Sequence, residues 1–118
     1  MGEMTAWIVA AGLFVVSAGA GIWLSAAGKP YGALLFNLHK LAALALTVMI
    51  GITSQGWLRA GLPPLRLTLL LFGWAALIGL FISGGLLGAG KLNQTVLVWL
   101  HRLLLMAVAA AGLFFVLI

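Results

Sequence analysis

The chain has 118 residues, of which 65% are apolar and 6% charged, with one acid, Glu3, against six lysines and arginines and a net charge of +5. A soluble globule needs more polar surface than this, so the composition reads as a membrane protein; the cations lie near the ends of apolar runs, where they anchor helices to headgroups and anionic lipid, and no nucleic-acid partner is expected. Cysteine is absent, which excludes disulfides, thiolate metal sites, covalently attached c-type haem and cysteine catalysis together.

Four apolar runs, residues 5–27, 33–53, 67–87 and 95–118, are each long enough to cross about 30 Å of hydrocarbon as a helix of roughly 20 residues. The first lacks the basic start of a signal peptide and reads as a true span. It carries Trp7 and Trp23 toward its two ends as interfacial anchors and is expected to stop at Gly28. Ser17, Gly21 and Ser25 recur at four-residue spacing, for which close helix packing in lipid is a sufficient explanation. Lys29-Pro30-Tyr31-Gly32 reads as a tight turn, with Pro30 suited to a first helical position.

The second span bears His39 on its second turn, and Ala42 and Ala43, three and four residues on, leave a low surface beside the imidazole. Residues 54–65, with Trp57, Arg59 and Pro63-Pro64, read as the longest connection, a structured interfacial loop. The third span contains Trp74 and the small residues Gly79, Ser83, Gly84 and Gly85, and the fourth carries His101 on its second turn. The expected fold class is all-α: an integral membrane four-helix bundle forming a single transmembrane domain over residues 1–118.

His39 and His101 are the only histidines, and the surroundings of the first recur around the second at an offset of 62 residues. The matches include Gly28/Gly90, Lys29/Lys91, His39/His101 and the following Lys40/Arg102, and Ser17 and Gly21 fall opposite Gly79 and Ser83. Leucine and alanine matches mean little in so apolar a chain, whereas histidine and lysine are rare in it. The sequence therefore reads as a tandem duplication of one helical hairpin. In a bundle of two such hairpins, the second and fourth helices run in the same direction and bring both histidines to one depth. Gly21 and the stretch around Gly84 lie near that depth on the other two helices, so the expectation is a slot with two nitrogen ligands.

Ionisable groups inside a membrane are expensive and usually functional. Either histidine alone could simply bond a neighbouring helix; as a matched pair they point to a shared ligand. Haem b fits best, since its iron needs only two axial protein ligands, which neutral imidazoles supply. Lys40, Arg102, Lys29 and Lys91 would then neutralise the propionates, unless they only snorkel to headgroups. Zinc or copper would need a homodimer pooling four histidines, and a proton-coupled transporter would need an acid within the spans.

These residues resemble the small di-histidine membrane cytochromes b, four-helix bundles in which histidines on transmembrane helices clamp haem b. The resemblance rests on His39, His101, Lys40, Arg102 and the glycines across from them. Many members carry four histidines and two haems; with two histidines, this chain departs toward one haem near a single membrane face. What the resemblance implies is electron exchange with quinone or quinol, or service as a haem subunit among partner membrane or redox subunits, with homo-oligomer formation left open. No quinone motif is present; Asn37, Tyr31 and Trp99 are merely near the histidines in sequence. The alternatives are a non-catalytic accessory or assembly subunit and a small transporter. The expected location is multi-pass in a bacterial or archaeal inner membrane. Lys29, Lys40, Lys91 and Arg102 against Arg59 and Arg66 would turn the histidine side toward the cytoplasm, a bias that vanishes if Lys40 and Arg102 serve propionates.

Overall fold

The computed structural model of the chain describes residues 2–118. Within them the regular structure is entirely α-helical: α1 Glu3–Ala27, α2 Ala33–Ala60, α3 Pro64–Gly88 and α4 Gln94–Leu117. Each helix is long and apolar enough to cross a bilayer. Large apolar side chains such as Ile22, Leu34, Leu71 and Leu103 are more than half exposed, an arrangement hydrocarbon tolerates and water penalises. The chain is all-α with four candidate spans, consistent with a multi-pass membrane protein.

The helices divide between Ala60 and Gly61 into two units, α1 with α2 and α3 with α4. Each unit is an antiparallel hairpin. In the first, Trp7 stacks on Trp57 with ring centroids 5.4 Å apart, while farther along Ser17 and Gly21 meet His39. Ala20, Leu24, Ala42 and Leu46 are buried between the two helices. Of the four-residue series on α1, Ser17 is buried, Gly21 is half-buried and Ser25 is exposed, so only the first two serve close packing. Of the two expected anchors, Trp23 is 67% exposed and Trp7 belongs to the hairpin's own packing.

In the second unit Gly73 faces Ala111, Gly79 faces Leu104, and Ser83 with Gly84 faces His101. At the far end the Arg66 Nη2 donates to the Phe115 carbonyl at 3.0 Å and the guanidinium lies 4.4 Å from that residue's ring centroid. Phe115 is in the last turn of α4, where carbonyls lack intrahelical donors and the helix dipole favours a cation.

The helix ends explain part of the repeat. Gly28, just after α1, has φ 75° and donates its N–H to the Leu24 carbonyl at 3.0 Å. After α3, Gly90 has φ 69°, its N–H bonds the Leu87 carbonyl and the Lys91 N–H bonds the Leu86 carbonyl, the pairing of a Schellman motif. Both matched glycines thus occupy left-handed positions that a side chain would strain. Asn93 opens α4 by accepting a hydrogen bond from the Val96 N–H.

Two expectations about the connections are corrected. Residues 54–60 are not loop but the last two turns of α2, leaving only residues 61–63 between α2 and α3. Their polarity suggested a connection, yet Ser54 is buried at 5% exposure and Trp57 is held by Trp7; packing outweighs the weak helix preference of this stretch. Pro30 is in the turn after a cis peptide bond rather than at the start of α2, which begins at Ala33. It is Pro64 that takes the first helical position, in α3, where its missing N–H leaves no bond unmade.

Candidate functional site

His39 lies on the second turn of α2, half-buried against α1. Its Nδ1 is 2.7 Å from the backbone carbonyl oxygen of Ser17. A carbonyl only accepts, so Nδ1 is the donor. In the neutral ring this assigns the proton to Nδ1 and the lone pair to Nε2. The close approach is made possible by Gly21: a Cβ there would come 2.9 Å from His39 Cε1 and 3.3 Å from Nδ1, closer than carbon atoms pack.

His101 reproduces this arrangement with different chemistry. Its Nδ1 is 2.7 Å from the Ser83 hydroxyl oxygen, and Ser83 is only 2% exposed, so the bond is shielded from competing solvent. The Ser83 hydroxyl oxygen is also 3.2 Å from the Leu80 carbonyl; when its one hydrogen goes to that carbonyl, the oxygen accepts from His101 Nδ1–H and the lone pair is on Nε2, as in His39. A Cβ on Gly84 would stand 3.3 Å from His101 Cε1.

Positions 21 and 83 correspond at the 62-residue offset, and each faces the histidine of its own hairpin. Where that position is glycine, the imidazole closes in and finds a backbone carbonyl; where it is serine, the hydroxyl replaces the carbonyl. Gly21 and Gly84, expected as open space beside the histidines, are where the imidazoles themselves fit. Ser17 and Ser83 were legible only as small residues in a packing pattern. Their role as Nδ1 partners depends on helix rotation, although the offset pairing of Gly21 with Ser83 was the available signal.

The basic residues next in sequence point back along their helices. Lys40 Nζ is 4.6 Å from the Phe36 ring centroid and the Arg102 guanidinium is 5.3 Å from that of Trp99, as the N-terminal lean of helical side chains requires. Lys29 lies 5.6 Å from the ring of Tyr31, which stacks on Phe36. The turn between α1 and α2 in the first unit therefore gathers two cations over two stacked rings, Tyr31 and Phe36. In the second unit Lys91 is exposed just before α4.

Among the described residues, no three histidine, cysteine, aspartate or glutamate side chains are grouped to hold a metal ion. Each hairpin instead holds one imidazole, tied at Nδ1 to the first helix of its own hairpin. The Nδ1 bonds are the outer contacts that typically fix a ligating imidazole's tautomer and orientation.

Replacing Ser83 by alanine removes one such contact and leaves His101 Nδ1 facing a methyl group. In a haem-loaded preparation, retention should fall roughly 10-fold, the lower end for outer contacts of metal ligands. The reduction potential should rise, because a ligand whose N–H is no longer bonded donates less electron density to the oxidised metal. Redox titration with Ser83→Thr as the conservative control checks both; an unchanged potential in Ser83→Ala would remove Ser83 from the site.

Comparison with family models, with curated proteins and with solved structures finds no match to this chain.

Proposed function

We propose that this chain is a membrane b-type cytochrome in which Nε2 of His39 and Nε2 of His101 are the axial ligands of one haem b. The observation that carries the reading is the repeated Nδ1 hydrogen bond, to the Ser17 carbonyl in one hairpin and the Ser83 hydroxyl in the other. The carbonyl sets the neutral His39 tautomer that ligates through Nε2, and the Ser83 hydroxyl can accept from His101 Nδ1–H to give the same tautomer.

When bound, haem b supplies reversible one-electron chemistry. The chain's own residues do the rest. Ser17 and Ser83 hold the rings in orientation, and Gly21 and Gly84 set how deeply each ring seats. Lys29, Lys40, Lys91 and Arg102 neutralise carboxylates at the membrane surface. The apolar helix faces keep water from the ligands. Electron exchange with quinone or quinol, or with partner redox subunits, is the role this reading favours. A bacterial or archaeal inner membrane is the location this reading favours.

Protein purified after haem supplementation should be coloured, with a Soret band and sharp reduced α and β bands of a low-spin six-coordinate haem. The same two hydrogen bonds support a second reading, an accessory subunit whose histidines only tie each hairpin together. A folded but colourless protein, with helicity and assembly intact, would decide for that alternative.

A further inference from the structure

At the end of the first hairpin away from His39, the start of α1 and the end of α2 frame a half-open cavity of about 250 Å³. Glu3, Trp7, Thr53 and Trp57 line it together with Met49 and Ile50. It is about 14 residues along α2 from His39, roughly 21 Å at the helical rise, and its use is independent of the haem reading. We infer that this cavity binds the alkylammonium headgroup of a zwitterionic lipid.

Three observations carry the inference. Glu3 is the only acidic side chain in a chain of net charge +5, and it stands on the wall of a concavity that two stacked indoles also line. Aromatic faces carry negative quadrupoles and attract cations, most strongly those of tryptophan. Thr53 donates its single hydroxyl hydrogen to the carbonyls of Met49 and Ile50, at 3.0 and 3.1 Å, so toward the cavity its oxygen is an acceptor. A carboxylate, two indoles and an acceptor oxygen together favour a cation.

Size and place narrow the choice further. At about 250 Å³ the cavity is smaller than pockets for drug-sized molecules, which run from about 300 Å³ upward. It lies at a helix end bearing paired tryptophans, the position of interfacial aromatic belts, where headgroups are found. An ammonium entering from the membrane surface keeps its acyl chains along the exposed apolar faces of α1 and α2, where Ile8 and Ile52 are both more than 60% exposed.

Net charge alone predicts the opposite preference, since a cationic chain attracts anionic lipid. The experiment is native mass spectrometry of the full chain released from micelles containing equal parts phosphatidylcholine, phosphatidylethanolamine and phosphatidylglycerol with the same acyl chains. One adduct bearing choline or ethanolamine should be retained over glycerol. Glu3→Gln and Trp57→Leu should each reduce that retention about 5-fold, the worth of one cation contact of about 1 kcal/mol. Glu3 is exposed in the first turn of α1, so Glu3→Gln keeps the fold, with circular dichroism as the check. Equal retention of all three lipids overturns the proposal, as does a preference that survives Glu3→Gln in folded protein. Binding of free choline with no lipid preference overturns the lipid source and reassigns the cavity to a soluble amine.

Discussion

His39→Ala and His101→Ala are each expected to abolish the low-spin haem spectrum, leaving either no bound haem or a five-coordinate, high-spin species. Each removes one of the two Nε2 lone pairs on which the proposed ligation rests, and neither hairpin contains a second histidine. Because Nδ1 of each ring also bonds the first helix of its own hairpin, the substitutions remove a packing contact as well. The double variant separates the two effects. Loss of the histidine–helix hydrogen bonds should cost about 1 kcal/mol each, which a thermal melt reads by helicity, whereas loss of ligation is read by absorption. Full low-spin absorption in either single variant would exclude that histidine as an axial ligand.

Gly21→Leu should have the largest effect of any change that leaves both histidines in place. Even the first carbon of the new side chain would lie 2.9 Å from His39 Cε1, so the imidazole must move and its bond to the Ser17 carbonyl must break. Overpacking a close contact costs about 1–3 kcal/mol, and loss of the part-buried His39 hydrogen bond adds about 1 kcal/mol. The first hairpin should lose stability by a few kcal/mol, and haem-loaded protein should lose low-spin character. Gly19→Leu is the control. Two residues away on the same helix, Gly19 has nothing within 4 Å of its Cβ position, so a leucine there should be tolerated and should raise helix propensity. Equal effects at the two positions would show that the loss reflects glycine replacement in α1 generally rather than displacement of His39.

Much of this was legible in the residues. A chain that is 65% apolar with 6% charge has to satisfy its backbone polar groups within itself once it is in hydrocarbon, and long apolar runs do so as helices. That requirement yields the all-α class and the four spans, and it explains why their cores were placed correctly while the end of α2 was not. At a membrane boundary water can solvate backbone groups, so polarity alone no longer distinguishes a loop from a helix that continues. The 62-residue repeat was equally visible, and its glycine matches at 28 and 90 answer to positive φ at both helix ends.

The structure decided what each rare polar group does. Whether Ser17 offers its carbonyl, Ser83 its hydroxyl, or Glu3 and two tryptophans a common cavity depends on how one helix is rotated against its partner. Nearly uniform apolarity leaves no polar stripe from which that rotation could be read. Packing sets it instead, through the positions where a missing Cβ lets a neighbour approach, Gly21 for His39 and Gly84 for His101. The sequence by itself determined that the chain forms four helices long and apolar enough to cross a membrane and that two histidines repeat. Only tertiary contact determined which nitrogen of each ring is tied down, because that is a matter of angstroms between side chains rather than of residue type.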